Sequence, residues 1–264
     1  LSYVPDFVRL GNVINDFRNP DLLLIGETDV KSGKLTESLY SKMTVGSPEI
    51  LHTSIINAEL IKISLNFYLT MKISFANTIA NISQKIPGAN TDLITKALSA
   101  DKRINGKFLR GALAFGGACF PRDTHAFKSI SKKYKTQSYL VDAINKVNQY
   151  QHQLLINLVL SELDKASSDS VSILGAAFKS GSPVIEESAG TKLIDELIDR
   201  HIKVVVYDNL AEKNLEAKYG EKIKLVHTLK EAVNNSDLLV ITTPNQEYKN
   251  MEHLLNQNEK QKIL

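Results

Sequence analysis

The chain has 264 residues, 43% hydrophobic and 23% charged, which is ordinary globular composition at a length that favours two domains over a single small core. Its net charge of +3 comes from 32 basic and 29 acidic residues spread along the sequence, which argues against a nucleic-acid surface. One cysteine excludes an internal disulfide framework and favours the cytoplasm, and no apolar run approaches the ~18 residues of a membrane span.

The first fifty residues read as irregular α/β structure. A short apolar strand is predicted within "NPDLLLIGE" and a short helix within "LTESLYSKM". The sequence starts without methionine, in what reads as the middle of a strand, and "KQKIL" at its end reads as the start of another. These ends predict a fragment of a longer protein.

A long helix is predicted over residues 52–86, because this stretch contains no Gly or Pro and its apolar residues recur with helical spacing. About 30 helical residues span about 45 Å, which implies a partner surface such as a second subunit. Lys62 and Asn66 lie at i and i+4 among apolar residues and could donate to an oxyanion. The pattern alone favours an exposed polar face for this pair, and Lys72 is predicted to be solvated.

Further helices are predicted in "TDLITKALSA", "THAFKSISKKYK" and "SYLVDAINKVNQYQHQLLINLVLSEL", with a glycine-containing loop between the first two. After the polar joint "DKASSDS" the pattern changes, and short β-rich runs alternate with helical stretches. This alternation predicts βαβ units and a parallel sheet, so the fold class is α/β with a domain boundary at the joint.

Two residues of the predicted sheet could face a ligand. Lys179 follows the first strand at its carboxyl end, where open α/β sheets bind ligands, and Asp208 ends the second strand. Asp208 stands where a dinucleotide fold has an acidic residue, but the sequence contains no G-x-G-x-x-G. The favoured interpretation of Asp208 is therefore an aspartate that caps a loop.

The only cysteine lies in "AFGGACFPRDTHAF". A thiol acts as a nucleophile when a loop exposes it beside cations or backbone N–H groups. Gly116 and Gly117 permit a close backbone approach, Arg122 adds positive charge, and Asp123 could orient a water molecule. A buried, inert Cys119 remains the alternative, and the spacing alone does not decide between them.

The segment "DKRINGKFLRG" concentrates basic residues just before the cysteine loop. Guanidinium and ammonium groups beside an aromatic ring suit a phosphate-bearing substrate. A solvated charge run is the alternative. The residues concerned are Lys102, Arg103, Lys107 and Arg110, with Phe108 and Leu109 between them.

Four ordered motifs, "NAELIKISLNFYLTMKISFANTIANI", "DKRINGKFL", "FGGACFPRD" and "GAAFKSG", resemble the UDP-glucose/GDP-mannose dehydrogenase family, the nucleotide-sugar 6-dehydrogenases. The resemblance covers nearly the whole chain. It implies NAD-dependent oxidation of a sugar C6 alcohol to a carboxylate by two hydride transfers. It also implies a remnant of an NAD-binding Rossmann-like domain at 1–50, a central helical domain at 51–166 that dimerises through the long helix, and a Rossmann-like domain for the UDP-sugar at 167–264.

The resemblance assigns roles to individual residues. Cys119 matches the nucleophile that forms a thiohemiacetal and then a thioester, and Lys62 and Asn66 match groups that stabilise its oxyanion. Asp123 matches an aspartate that activates water or holds the lysine. Asp6 matches a catalytic glutamate, and Arg122 replaces a lysine that meets the cofactor. The substrate-binding residues implied are Arg103, Phe108, Leu109, Arg110, Phe115, Gly116, Gly117 and Lys179. No metal site is predicted.

Several positions depart from the family pattern. Asp6 is one methylene shorter than the usual glutamate, and the sequence has Leu10 in place of an acidic residue and Ala114 in place of a glycine. In "SGSPVIEES", Glu186 occupies the place of an arginine. These changes leave weak activity, altered specificity or a degenerate paralogue open. The absent glycine fingerprint separately predicts poor NAD binding and an inactive isolated fragment.

Two alternatives to a dehydrogenase stay open at this stage. The first is a non-catalytic nucleotide-sugar-binding and dimerisation module, or a degenerate paralogue. The second is a thiol hydrolase or acyl-transfer enzyme in which His125, the nearest histidine, assists Cys119. The sequence does not indicate which nucleotide sugar is bound.

Overall fold

The computed structural model describes residues 1–255 and 261–264. These residues form two units, 1–68 and 69–264. The elements of the first unit are β1 (Ser2–Tyr3), α1 (Val13–Arg18), β2 (Leu22–Glu27), α2 (Val30–Met43), β3 (Glu49–Ser54) and the beginning of α3 (Ile55–Ser83). The boundary between the units falls within α3, which contributes to both.

The first unit is built on a three-stranded sheet in the order β1-β2-β3. The predicted apolar strand is confirmed as β2, which pairs antiparallel with β1 and parallel with β3. The helix predicted within residues 35–43 begins earlier, at Val30, because Asp29 caps it by accepting the Ser32 N–H at 2.8 Å. Residues 52–54, predicted as helix, instead complete β3, since they pair with the end of β2.

The helical part of the second unit contains the remainder of α3, followed by α4 (Thr91–Ala100), α5 (Phe120–Lys133) and α6 (Tyr139–Ala166). All four predicted helices of this region are confirmed. α3 has 29 residues and α6 has 28, close to the lengths that their apolar periodicity predicts. The α5 helix begins immediately after Cys119, with Pro121 in its first turn, where a missing N–H costs nothing.

The sheet of the second unit has five parallel strands in the order β6-β5-β4-β7-β8, which confirms the predicted α/β class. Its core is apolar, with Ile173, Leu193 and Leu238 almost fully buried. The predicted strand in "KIKLVHT" shortens to two residues, and residues 262–263 form an edge strand. The elements are β4 (Ser170–Leu174), α7 (Ala189–Asp199), β5 (Lys203–Tyr207), α8 (Glu212–Tyr219), β6 (Lys224–Leu225), α9 (Leu229–Asn234), β7 (Leu238–Ile241) and β8 (Lys262–Ile263).

Two kinds of feature are absent from residues 1–255 and 261–264. Over that part of the chain, no helix combines the length and the apolar character needed to cross a membrane. Within the same residues, no three His, Cys, Asp or Glu side chains are grouped so that they could hold a metal ion.

Candidate active site

A cavity of about 1040 Å³ opens in the second unit, at the upper end of the volumes typical of small-molecule pockets. Its walls come from α3, α4, α6, the segment that precedes α5, and the loops that follow β4 and β7. Five of the predicted substrate-binding residues meet here. They are Phe108, Arg110, Phe115, Gly116 and Lys179.

Three aromatic rings form one side of this cavity. Phe120 contacts both Phe108 and Phe115 edge to face, with ring centroids 6.4 and 6.1 Å apart. Phe108 has a φ of +63°, which is rare for a residue with a side chain, yet its side chain stays 43% exposed. Backbone strain of this kind concentrates at ligand-binding sites. The chain therefore holds a partly exposed ring at the cavity on a backbone in the left-handed region.

Two cationic side chains line the same cavity. Arg110 is exposed, and Lys179 is half-buried with its ammonium 5.6 Å from the centre of the Phe178 ring. Lys179 lies just beyond the carboxyl end of β4, as predicted. A guanidinium and an ammonium in a partly apolar pocket suit an anionic ligand such as a diphosphate.

Gly116 and Gly117, the two glycines before the cysteine, lie where two parts of the chain pack closely against each other. A Cβ on Gly116 would lie 2.0 Å from the carbonyl oxygen of Glu187, and one on Gly117 would lie 2.6 Å from the Phe178 ring. Gly117 also has a φ of +83° and donates its N–H to the Glu186 carbonyl at 2.9 Å. The glycines therefore seat the cysteine loop on the loop after β4, a role that differs from the predicted approach of a substrate.

Replacing Gly116 with alanine is expected to lower the free energy of unfolding by about 1–3 kcal/mol, because the added methyl group overlaps backbone that must shift. Gly46→Ala is the matched control, since a Cβ there meets nothing within 4 Å, and a change of about 0.5 kcal/mol or less is expected. Urea unfolding of both variants measures the difference. Equal midpoints for the two variants would contradict the packing role of Gly116.

Cys119 is exposed and occupies the N-cap of α5, so the alternative of a buried packing cysteine is not supported. Its carbonyl accepts the Asp123 N–H at 2.9 Å, the first bond of the helix. The sulfur itself caps no backbone group of α5. The amino end of a helix carries partial positive charge and favours an anion. An exposed thiol at this position suits nucleophilic chemistry.

Asp123 is buried one turn into α5 and forms an ion pair with Arg122, whose Nε donates to Oδ1 at 2.8 Å. The guanidinium of Arg122 is otherwise largely exposed, with 63% of its side chain accessible. His125 is exposed and lies six residues after Cys119, a rise of about 9 Å along a helix. No hydrogen bond joins the Cys119 and His125 side chains among the described residues, so the structure does not support the hydrolase alternative.

The remaining predicted catalytic residues lie in the first unit. Lys62 and Asn66 are half-buried on α3, and Asp6 is exposed. The Lys62 ammonium donates to the backbone carbonyl of Asp6 and lies 5.0 Å from the centre of the Phe7 ring. Lys62 is therefore partnered and half-buried, which the alternative of a solvated polar face did not anticipate. Lys62 contacts the backbone of Asp6 and not its carboxylate.

The residues of the basic segment, 101–111, lie in different environments. Leu109 is buried and does not line the cavity. Arg103 is exposed and forms an ion pair with Asp101 at 2.6 Å, which holds the pKa of that carboxyl below its usual value.

The prediction that Lys72 is solvated is wrong: it is buried, and it donates to the carbonyls of Ile104 at 3.2 Å and Asn105 at 2.7 Å.

Asp208 caps two loops at the carboxyl edge of the sheet, as the favoured interpretation predicted. One carboxylate oxygen accepts the N–H groups of Ala176 and Ala177 at 2.8 and 2.9 Å, and the other accepts those of Leu210 and Ala211 at 3.1 and 2.9 Å. Each oxygen therefore already has two donors. A carboxylate so occupied is not available to bind a ribose hydroxyl.

Comparison with known proteins places these features in a family. Residues 56–150 match the model of the UDP-glucose/GDP-mannose dehydrogenase family, central domain, and residues 172–264 match the UDP binding domain of the same family. The chain belongs to the UDP-glucose/GDP-mannose dehydrogenase family.

Individual members of the family resemble the chain over most of its length. It is 30% identical to UDP-glucose 6-dehydrogenase of Rickettsia bellii, over 94% of this chain and 57% of the relative. It is 31% identical to UDP-glucose 6-dehydrogenase YwqF of Bacillus subtilis, over 90% of this chain and 53% of the relative. The chain thus spans just over half the length of these relatives.

A solved structure of the family has the same fold. The UDP-glucose dehydrogenase of Pyrobaculum islandicum superimposes with a TM-score of 0.89 and 27% identity, over 100% of this chain and 59% of that one. The resemblance read from the four motifs is confirmed, as is the α/β fold with a helical central region.

One departure from the family pattern has a visible structural context. The side chain of Glu186 is exposed, while its backbone carbonyl holds the Gly117 N–H. The contact between this loop and the cysteine loop therefore does not depend on which side chain occupies position 186. Replacement of the family arginine changes the local charge without removing that contact.

Proposed function

We propose that this chain forms the sugar-nucleotide-binding and thiol-bearing part of an NAD-dependent nucleotide-sugar 6-dehydrogenase, which converts UDP-glucose or a related UDP-sugar to its uronic acid. The observation that supports this most is the cavity of about 1040 Å³ in which Phe108, Arg110, Phe115, Gly116 and Lys179 meet. A chain of this family with such a cavity has the room and the charge for a nucleotide sugar.

The polar and apolar parts of the cavity suggest a division of roles. Lys179 and Arg110 are proposed to bind the diphosphate, because both are cationic and line the same space. The rings of Phe108 and Phe115 are proposed to contact the sugar or the base. Arg103, Leu109 and Gly117 stay proposed substrate-segment residues by family resemblance, although Leu109 is buried and acts through packing.

Cys119 is the proposed nucleophile. Its sulfur would add to the carbon of the C6 aldehyde, forming a C–S bond while the carbonyl electron pair moves to oxygen. Lys62 and Asn66 are the groups proposed to stabilise that oxygen. Asp123 is proposed to assist the water that hydrolyses the later thioester and releases the thiol, and Asp6 to handle protons nearby.

NAD is proposed as the oxidant and would supply the acceptor for both hydrides. The chain has no G-x-G-x-x-G, and the Asp208 carboxylate is occupied by backbone donors, so these residues do not fit a dinucleotide site. Arg122 is the residue proposed to face the cofactor.

Assembly is proposed as a homodimer through α3. Several large apolar side chains on the first-unit part of this helix are between 40% and 69% exposed, and a partner would cover them. They are Ile56, Leu60, Leu65 and Tyr68. The proposed location is the cytoplasm, which the single free thiol supports.

A non-catalytic nucleotide-sugar-binding module is the second candidate. It is favoured by Glu186, which reverses the charge of the family arginine, and by the missing glycine fingerprint. The second candidate would bind the nucleotide sugar in the same cavity as the first but would not oxidise it. Binding and oxidation must therefore be measured separately.

The test exploits the single cysteine, which makes alkylation specific to one site. UDP-glucose at saturation is expected to slow iodoacetamide labelling of Cys119 about tenfold, with binding heat detected by calorimetry. In the dehydrogenase of which this chain is proposed to form part, NAD+ should then yield NADH. Lys179→Met should weaken both binding and protection, whereas Lys203→Met, at an exposed lysine paired with Asp169, should change neither. Absence of binding and protection with UDP-glucose, UDP-N-acetylglucosamine and UDP-N-acetylmannosamine would overturn the proposal; binding without NADH would select the second candidate.

A further inference from the structure

The segment before the cysteine loop is held by amide side chains from two helices. Asn148 on α6 makes a two-point contact with the peptide groups of Phe115: its Oδ1 accepts the Phe115 N–H at 2.8 Å, and its Nδ2 donates to the Phe115 carbonyl at 3.0 Å. Asn77 on α3 accepts the Ala112 N–H at 2.8 Å and is 1% exposed.

A third amide extends this arrangement. Gln151 lies one turn after Asn148 on α6 and donates to the Ala112 carbonyl at 2.8 Å. Its own oxygen accepts the Asn81 amide at 3.0 Å. A primary amide carries both a hydrogen-bond donor and an acceptor. It can therefore satisfy the N–H and carbonyl groups of an irregular backbone segment, as a neighbouring strand does within a sheet. We call Asn77, Asn148 and Gln151 the amide clamp.

The clamped segment connects the cavity to the thiol. Phe115 and Gly116 line the cavity, Gly117 is tied to the Glu186 carbonyl, and Cys119 follows two residues later at the N-cap of α5. The segment has no helix or strand of its own between residues 109 and 117. Its course is therefore set at one end by the amide clamp and at the other by the loop after β4.

We infer that the amide clamp consists of positioning residues, which act on the ligand through the backbone that they hold. Without Asn148, the N–H and carbonyl of Phe115 lose their partners, and the wall of the cavity gains conformations in which the Phe115 ring is displaced. Only a fraction of molecules would then be competent to bind, and the apparent affinity falls by that fraction. This consequence for ligand binding rests on the proposed function.

Three variants test the inference. Asn148→Ala removes both contacts, and Asn148→Asp keeps the acceptor but places a carboxylate oxygen against the Phe115 carbonyl. Asn157→Ala is the matched control, because Asn157 is an exposed amide on the same helix whose side chain bonds Gln153 and not the loop. Hydrogen exchange of the amides of residues 112–117 and UDP-glucose affinity are measured at a temperature at which all variants give the same circular dichroism.

Asn148→Ala is expected to speed exchange in residues 112–117 at least tenfold and to weaken UDP-glucose binding about tenfold, with Asn148→Asp intermediate and Asn157→Ala unchanged. If Asn148→Ala does not fold, Asn77→Ala replaces it with the same expectation, because Asn77 accepts the Ala112 N–H and does not line the cavity. Exchange and affinity equal to those of the Asn157→Ala control would overturn the inference. If the unmutated chain binds no UDP-sugar, the proposed function fails, while the exchange measurement still decides the clamp.

Discussion

Replacing Cys119 with alanine in the dehydrogenase of which this chain is proposed to form part is expected to reduce uronic acid formation by roughly a thousandfold or more, the scale seen when a covalent nucleophile is removed. Cys119 is the only thiol in the chain, it is exposed, and it stands at the amino end of α5. The aldehyde has no other sulfur to which it can add. UDP-glucose affinity should change by about twofold or less, because the thiol is proposed to bond to the aldehyde that forms later and not to the bound alcohol.

The measurement combines NADH formation, uronic acid detection and calorimetry on one preparation. Ser129→Ala is the control, since Ser129 is exposed on the same helix and its loss should leave the rate unaltered. Cys119→Ser should resemble Cys119→Ala, because a hydroxyl is a much weaker nucleophile than a thiolate. Uronic acid production by Cys119→Ala at the rate of the control would show that the proposed nucleophile is wrong.

The helices and the parallel sheet could be predicted because their periodicities extend over many residues. The apolar spacing of α3 and α6 and the apolar runs of β4, β5 and β7 are properties of local sequence. The end of β3 could not be predicted in this way, since residues 52–54 continue the helical pattern and become strand only by pairing with β2. Pairing of this kind is decided by tertiary contact.

The residues of the candidate site also divide into those that the sequence could predict and those that it could not. The cysteine loop and Lys179 were visible as short motifs, and the cavity brings several of the predicted residues together. The amide clamp and the burial of Lys72 are not visible as motifs, because the partners of these residues lie between 32 and 39 residues away in sequence. The only local indication is a polar residue within an apolar helix, and for Lys72 this pattern predicts an exposed side chain. Burial of a polar side chain depends on a partner that periodicity does not reveal.

Asp208→Ala is expected to lower the free energy of unfolding by about 3–5 kcal/mol, because four backbone N–H groups lose their charged acceptor at once. Asp208 is 7% exposed, so water does not readily replace the carboxylate. The loop that it holds begins at Ala176 and carries Lys179 into the cavity. UDP-sugar affinity should therefore fall together with stability.

Two further variants separate this role from a general loss of charge. Asp208→Asn keeps one acceptor oxygen but turns an NH₂ group toward two N–H donors, so it should cost about 2 kcal/mol or more. Asp169→Ala removes an aspartate of the same unit whose 74% exposed side chain pairs with Lys203, and about 1 kcal/mol or less is expected. Urea unfolding ranks the three variants. An Asp208→Ala variant as stable as Asp169→Ala would mean that the loops after β4 and β5 hold their course without the carboxylate, and any loss of UDP-sugar affinity would then need a different cause.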